Sequence, residues 1–409
     1  MNTIHVVLLP MIVLAGIPFA CAGNQGVSPG QEKPDVRASL ADGNNAFALD
    51  LYGGLKGQEG NLFFSPFSIS TALAMTYGGA RGETASQMAK VLCFASDEGR
   101  VHGAFKELLD RLNAKQEKPA YELIVANALW GQKGFGFLDD FVGLVRTNYG
   151  AGFSELDFAA AAEAARQTIN AWVEQQTKQK IRDLVKPGVL KESTRLVLTN
   201  AIYFKGKWSR PFGKGATAPM PFLAGGKKTN VPMMHQQGKF RYGENTDLQI
   251  LELPYEGGSL SMLVLLPKAV DGLPKLEASL TAEKLGQWTG NLRQADVFLY
   301  LPKFEMTLEF SLGRKLAEMG MADALNPGKA DFSGMNGKRD LFLSEVIHKA
   351  FVEVNEEGTE AAAATGAVMA LTSVMVTDRV VFRADHPFLF LIRHNETGSI
   401  LFMGRVANP

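Results

Sequence analysis

The sequence predicts an α+β protein, because the patterns along the chain change from helical to strand-forming. Amphipathic segments with helical spacing dominate the first half. Runs of β-branched and aromatic residues dominate the second half. With 409 residues and a hydrophobic content of 46%, the chain is long and apolar enough to bury a large core. We expect mixed, largely antiparallel sheets covered by helices.

Two segments of the first half have the spacing of amphipathic helices. The segment 101–115 carries four apolar residues at neighbouring helical positions, Phe105, Leu108, Leu109 and Leu112. The segment 158–181 does the same with Ile169, Trp172 and Val173. Each pattern predicts a helix that packs one face against a sheet.

Strand-forming runs in the second half indicate where the sheets lie. They occupy 195–208, 248–255, 260–267 and 296–310. The stretch 196–204 is apolar on both of its faces, so we expect its sheet to be covered on both sides. At the C-terminus, two apolar runs flank Asn395–Gly398, which predicts a hairpin.

Charge and motif content exclude several classes of function. Forty-two acidic residues balance 42 Lys and Arg residues, which argues against a nucleic-acid binder, and no basic cluster suits heparin. The histidines lack the spacing of zinc ligands, so no metal site is predicted. The chain has no G-x-S-x-G elbow, phosphate loop or dinucleotide fingerprint. We therefore expect neither an enzyme nor a bound cofactor.

The N-terminus differs in composition from the rest of the chain. Residues 6–20 are apolar and no charged side chain precedes Glu32, so 1–22 is interpreted as an export signal. Cys21 offers an alternative, a lipoprotein signal, although Pro18 stands where such signals usually have Leu. The polar segment 23–35 is interpreted as a linker and 36–409 as one domain. A secreted, extracellular or periplasmic protein follows, with membrane attachment only through a lipidated Cys21.

Residues 354–382, VNEEGTEAAAATGAVMALTSVMVTDRVVF, contain no charge between Glu360 and Asp378. Alanine favours a helix here, and Thr359 would be its N-cap. Gly366 and the strand patterns on either side count against that helix. In a strand, the residues that share a face are all small or β-branched: Thr359, Ala361, Ala363, Thr365 and Ala367. Such a segment suits both an exposed loop and a buried strand.

Five motifs in order resemble the serpin family over the whole chain after the linker. They are NLFFSPFSIS at 61–70, LTNAIYFKGKWSRPF at 198–212, VIHKAFVEVNEEGTE at 346–360, EEGTEAAAAT at 356–365, and FRADHPFLFLI with FMGRVANP near the C-terminus. The resemblance implies the serpin fold, with an exposed reactive loop that can insert into the central sheet. It implies an inhibitor of serine proteases, and also of some cysteine proteases, that acts as a suicide substrate. The export signal, with its ending similar to that of a lipoprotein signal, suggests a bacterial source.

The resemblance also assigns roles to residues by their positions in the motifs. The loop hinge comprises Glu356, Glu357, Gly358, Thr359, Glu360, Ala361, Ala362, Ala363 and Ala364. The shutter, a polar group beneath the strands that must part, comprises Asn61, Ser65, Pro66, Ser68, Asn200 and His348. Trp208 belongs to the breach, where the loop first enters the sheet. For His348 and Trp208, ordinary core positions are the alternatives.

Counting from Gly358, as in the usual inhibitory loop, predicts cleavage between Thr372 and Ser373. Cleavage beside Met369, Ala370, Leu371 or Met375 is the alternative, because the segment after the bond is slightly long. These small and apolar residues favour elastase-, subtilisin- or chymotrypsin-like targets over trypsin-like ones. The expected partner is a target protease in a covalent complex with a monomeric inhibitor. A non-inhibitory serpin, acting as a binding or chaperone-like protein, is the alternative.

Overall fold

A computed structural model describes residues 36–94, 98–112, 121–150, 152–359 and 379–409, in which helices surround two sheets. The helices are α1 (Val36–Leu55), α2 (Pro66–Tyr77), α3 (Gly82–Val91), α4 (Glu98–Leu112), α5 (Asp139–Tyr149), α6 (Phe158–Gln176), α7 (Leu273–Ser279), α8 (Ala282–Gly290), α9 (Gly313–Glu318) and α10 (Ser333–Asn336). Short 3-10 turns occupy Lys214–Ala216 and Asp323–Leu325.

The strands fall mainly in the second half of the chain, as the sequence predicts. They are β1 (Leu62–Phe64), β2 (Tyr121–Gln132), β3 (Gly152–Leu156), β4 (Leu196–Lys207), β5 (Ala218–Ala224), β6 (Lys227–Glu244), β7 (Leu248–Pro254), β8 (Leu260–Pro267), β9 (Arg293–Pro302), β10 (Phe304–Ser311), β11 (Leu343–Val354), β12 (Gly358–Thr359), β13 (Val380–Arg383), β14 (Phe388–His394) and β15 (Ile400–Val406). The predicted C-terminal hairpin is β14 and β15.

Two sheets share these strands. The nine-stranded sheet has the order β1-β15-β14-β8-β7-β6-β9-β13, with β5 beside β6. The central, six-stranded sheet has the order β10-β11-β12-β4-β2-β3, and β11 also pairs directly with β4. The pairs β2–β3, β4–β11 and β9–β13 are parallel and the others antiparallel. The predicted α+β class with largely antiparallel sheets is confirmed.

Apolar side chains cover both faces of β4, as its sequence indicates. Ile202 and Phe204 point into the larger core, which lies between the two sheets and includes most of the helices. Ala201 and Tyr203 point the other way, into a smaller core beneath α6. The central sheet is therefore enclosed on both sides, and any strand added to it must fit under α6.

Helix α2 supports the central sheet and is buried along its entire length. Its start follows from the local sequence: the Ser65 hydroxyl accepts a hydrogen bond from the Ser68 amide at 3.1 Å, and Pro66 occupies the first turn. Three residues predicted for the shutter are thus fixed at the start of this helix.

Two strand and helix boundaries differ from the simple sequence patterns. The pattern at 158–181 gives a helix that ends at Gln176, because Lys178 and Gln179 adopt positive φ angles of 51° and 64°. The run 296–310 is divided between β9 and β10, which belong to different sheets. The chain crosses between the sheets at Pro302 and Lys303, where proline lacks the amide for a continuous ladder.

Candidate functional site at the seam of the central sheet

Strands β4 and β11 are neighbours in the central sheet, and we call the boundary between them the seam. The strand pairing across the seam changes along its length. From Leu196 and Leu343 up to Tyr203 and Phe351, the two strands pair directly and in parallel. Above that point they are separated by β12, which is antiparallel to both. Thr359 pairs with Gly206 on one side and with Val354 on the other. The upper seam therefore already holds the beginning of an additional strand.

Thr359 is the deepest residue of β12 and is completely buried. Its hydroxyl lies 2.8 Å from the hydroxyl of Tyr255, which is also buried. Burial raises the pKa of Tyr255, so its hydroxyl keeps its proton. The Tyr255 ring stacks on Trp208 with centroids 4.7 Å apart. The side chain of Thr359 thus ends in a fully enclosed, neutral pocket.

A tight turn at residues 355–358 brings the chain back into the seam. The Asn355 amide donates to the Gly358 carbonyl at 2.9 Å, and the Asn355 side chain accepts from the Glu357 amide at 3.0 Å. Gly358 approaches β4 so closely that a Cβ atom would lie 2.0 Å from the Gly206 carbonyl oxygen. Only glycine fits this position, which explains the hinge glycine physically.

Two carboxylates hold this turn in place. Glu356 forms an ion pair with Lys303 at 2.9 Å and accepts a hydrogen bond from the Thr217 hydroxyl at 2.7 Å. Although burial raises the pKa of Glu356, these bonds outweigh it and hold the pKa below its usual value. Glu357 forms an ion pair with Lys214 at 2.6 Å.

Trp208, predicted for the breach, holds the turn through both of its nitrogens. Its backbone amide donates to the Glu357 carbonyl at 2.9 Å, and its indole Nε1 donates to the Asn355 carbonyl at 3.0 Å. The indole is buried against Tyr255. Trp208 is therefore both a core aromatic and a hydrogen-bond partner of the hinge.

A row of polar side chains crosses the middle of the seam. Register places Asn127 of β2 beside Asn200 of β4, and Asn200 beside His348 of β11. The Asn200 amide donates to the Asn127 side chain and to the Ser68 hydroxyl, and its oxygen contacts His348 Nδ1. All four side chains are buried, so each depends on the others for its hydrogen bonds.

His348 joins this row to helix α2 and is held in one protonation state. Its Nε2 accepts a hydrogen bond from the Ser65 amide at 3.1 Å, so the proton lies on Nδ1, which donates to Asn200. A second proton on Nε2 would face the Ser65 amide. Burial lowers the pKa of His348 to about 3, so the ring is neutral at physiological pH.

The predicted shutter residues are only partly brought together. Ser65, Ser68, Asn200 and His348 form one network, with Pro66 beside them at the start of α2. Asn61 does not join it. Its side chain instead accepts from the amides of Ala407 and Asn408 at 2.8 and 2.9 Å, because β1 begins next to the end of β15. In this structure Asn61 therefore fastens Ala407 and Asn408 and lies apart from the network.

Several residues of the site were missed in the sequence. Asn127 is detectable as a polar residue inside the apolar run VANAL, but it has no shutter motif. Tyr255, Lys303 and Thr217 contact the hinge from other parts of the chain. No local pattern marks them, since only the arrangement of the strands brings them to the seam.

Other predicted residues lie outside the described part of the chain. These are the hinge residues Glu360 to Ala364, the predicted bond Thr372–Ser373, and the N-terminal segments 1–22 and 23–35 with Cys21. Among the residues described, no group of three His, Cys, Asp or Glu side chains could hold a metal ion. In the same part of the chain, no helix is long and apolar enough to cross a membrane.

Comparison with known proteins identifies the family. Residues 42–409 match the family model "Serpin (serine protease inhibitor)". The chain is 46% identical to rat leukocyte elastase inhibitor A over 383 residues, covering 90% of this chain and 99% of that protein. It is 46% identical to human leukocyte elastase inhibitor over 381 residues, with the same coverage. These relatives are vertebrate proteins and give no support to the predicted bacterial source.

A solved structure agrees with the sequence relatives. Uncleaved ovalbumin matches the fold with a TM-score of 0.82 and 34% sequence identity, covering 91% of this chain and 100% of that chain. The family model and the sequence relatives each span nearly all of the region after the predicted linker. The chain therefore belongs to the serpin family.

Proposed function

We propose that this protein inhibits serine proteases as a suicide substrate. The protease serine attacks the carbonyl carbon of Thr372, the amine of Ser373 leaves with a proton, and an ester joins inhibitor to protease. The freed segment after Thr359 then enters the seam between β4 and β11 and carries the protease with it. One observation carries the proposal: Thr359 already pairs with both strands, and Gly358 with β4, in the antiparallel direction that insertion requires.

The existing register supports a specific course for the inserted strand. Suppose that the antiparallel pairing of Thr359 with Gly206 and Val354 continues. Each following residue of the inserted strand then pairs with the preceding residue of β4 and with the preceding residue of β11. Six residues on, Thr365 arrives between Asn200 and His348. Its hydroxyl would then replace the hydrogen bond that joins those two side chains in the closed seam.

Small residues are required on both faces of that strand. Thr359 points into the larger core, so Ala361 and Ala363 would follow it on that face. Ala362, Ala364 and Gly366 would point the other way, beneath α6. There the side chains of Tyr203 and Phe351 already pack against the helix. The run of small residues fits a strand that must pass through a close-packed interior.

The composition near the predicted bond supports the choice of target. Residues 369–375 contain neither Lys nor Arg, and the nearest following cation is Arg379. A protease with a small or apolar specificity pocket suits this segment, whereas trypsin-like enzymes need a cation. The names of the leukocyte elastase inhibitors agree with an elastase-like target. Cleavage beside Met369, Ala370, Leu371 or Met375 leaves the mechanism unchanged.

The N-terminal features complete the proposal. We infer an export signal at 1–22 and a linker at 23–35. The inhibitor would then be a monomer that is either secreted into the extracellular space or located in the periplasm. Attachment to a membrane would occur only through lipid on Cys21. The apolar run at 6–20 and the absence of charge before Glu32 support export.

The test is to mix the purified protein with an elastase-like and a subtilisin-like protease and to analyse the products by denaturing gel and mass spectrometry. We expect a covalent complex and a released peptide that begins at Ser373. The cleaved inhibitor should also melt at a temperature higher by roughly tens of degrees, because the uncleaved form is kinetically trapped. Cleavage with neither a complex nor a gain in melting temperature would favour the non-inhibitory, binding role.

A further inference from the structure

One outward face lies where the chain returns to the fold after the predicted bond. Strands β6, β9 and β13 lie side by side, and alternate residues point outward in rows. One row is His235, Tyr300 and Arg383, and the next is Gln237, Phe298 and Val381. Lys239 and Asp296 begin a third row, and Arg379 directly precedes β13. We call these residues the exit face.

Aromatic rings hold the two arginines of the exit face. The Arg383 guanidinium lies 4.6 Å from the centroid of the Tyr300 ring, and that of Arg379 lies 5.5 Å from the Phe298 ring. Tyr300 also stacks on His235 with centroids 5.7 Å apart. A guanidinium over an aromatic ring is attracted to it, so these charges are oriented despite being exposed.

The exit face combines apolar exposure with positive charge. Val381 is 49% exposed and is one of three large hydrophobic residues exposed in the described part of the chain. The described residues of the exit face include three cations, Arg379, Arg383 and Lys239, and one carboxylate, Asp296. Their net charge is therefore two positive charges. Within the described ranges, neither guanidinium forms an ion pair. Exposed arginines on aromatic residues are typical of protein interfaces.

We propose that the exit face is a second contact for the target protease and selects enzymes with an acidic surface beside their active-site cleft. The proposal rests on the proposed function. Arg379 is six residues beyond Ser373, so at most about 20 Å of extended chain separates them. A protease of about 230 residues has a radius of gyration of about 17 Å. An enzyme bound at the predicted bond therefore reaches the exit face.

Such a contact affects the association of the protease with the inhibitor more than it affects the later insertion of the loop. Complementary charges raise association rates and are screened by salt. Insertion of the loop takes place in the central sheet, whereas β13 lies at the edge of the nine-stranded sheet. Changes on the exit face should therefore alter the rate of loop cleavage and leave the stoichiometry of inhibition unchanged.

The test compares the wild-type protein with the double variant Arg379→Glu/Arg383→Glu against two elastase-like proteases, one of low and one of high isoelectric point. The measured quantity is the second-order rate constant of loop cleavage at low and high salt. We expect the variant to react about tenfold more slowly with the acidic protease at low salt, a difference that salt abolishes. With the basic protease the variant should react faster.

Two further variants make the comparison specific. Arg379→Lys/Arg383→Lys keeps the charge and should retain most of the rate with the acidic protease. Arg314→Glu/Lys329→Glu reverses two exposed charges near the opposite end of the central sheet and should change neither rate. Each variant is first checked for an unchanged melting temperature.

Equal rates of wild type and double variant with both proteases would overturn the proposal, and so would equal slowing with both. A raised stoichiometry at an unchanged rate would also overturn it, since that would mean a role in insertion. Loop cleavage can be measured whether or not the complex is trapped. Failure of the proposed function, seen as cleavage without a complex, is therefore distinct from failure of the exit face.

Discussion

The upper and middle parts of the seam between β4 and β11 show two arrangements of the same two strands. In the upper part the strands are apart, and Thr359 of β12 lies between them and pairs with both. In the middle they pair directly, and a buried polar row from Asn127 to His348 joins them to α2. The strands thus already hold an antiparallel neighbour in the upper part, and under the proposed mechanism the hydrogen bonds of the polar row are exchanged when that neighbour lengthens.

The largest effect is expected at the upper part, where Thr359 is completely buried. Thr359→Arg would place a charge against Tyr255 in a completely buried site, at a cost of several kcal/mol, so the arginine would keep the segment out of the seam. The variant should become a substrate, and its stoichiometry of inhibition should rise by roughly tenfold or more. Thr359→Ser keeps the hydroxyl and serves as the control. Undiminished complex formation by the arginine variant would contradict insertion at this point.

A smaller effect is expected where the inserted strand would reach the polar row. Thr365→Val removes the hydroxyl that would replace the bond between Asn200 and His348, while Thr365→Ser keeps it. Loss of one hydrogen bond costs about 1 kcal/mol, roughly a fivefold change in the rate of insertion. The stoichiometry of inhibition should rise for valine and not for serine. If both variants behave like wild type, the inserted strand does not continue the register of Thr359.

A third effect, on stability and not on inhibition, concerns the polar row in the uncleaved protein. Burial lowers the pKa of His348 to about 3, whereas imidazole in an unfolded chain has a pKa of about 6.5. Between these values the unfolded chain binds a proton that the native ring does not. Stability is therefore lost as the pH falls below 6.5. His348→Gln keeps a donor and an acceptor but cannot take up the proton.

Urea unfolding of both proteins from pH 7.5 to pH 4.5 checks this. Wild type should be the more stable at neutral pH, and its advantage should shrink as the pH falls. Burial also lowers the pKa of His102 and His394, but both remain in the variant, so the difference reports His348 alone. A gap that stays constant over this range would show that His348 does not contribute to the acid sensitivity.

Much of the upper seam could be predicted from the sequence, because its contacts restrict single positions to one or two residue types. Gly358 is set by one backbone contact with Gly206, and Thr359 by a small enclosed space. The middle of the seam was less predictable. Asn127 belongs to the polar network because of the register of β2 with β4. Asn61 lies outside that network because β1 is beside the end of β15. Long-range register has no local signature in the sequence.

The hinge contacts from distant segments were unpredictable for a related reason. Lys303 reaches Glu356 because the run 296–310 changes sheets at Pro302, which brings the lysine to the top of the central sheet. A continuous apolar pattern does not reveal that change. Strand-forming composition therefore predicted which segments form strands better than it predicted which sheet each strand joins.

The pairing of β1 with β15 has a consequence for how the protein is made. Leu62 pairs with Arg405, and the Ser65 hydroxyl donates to the Leu401 carbonyl at 2.6 Å, so the start of the domain is completed by residues that lie 336 or more positions further along the chain. A nascent chain lacks β15 until that segment has left the ribosome. The nine-stranded sheet can close only then, and before that the apolar side chains of β1 and α2 need protection from aggregation.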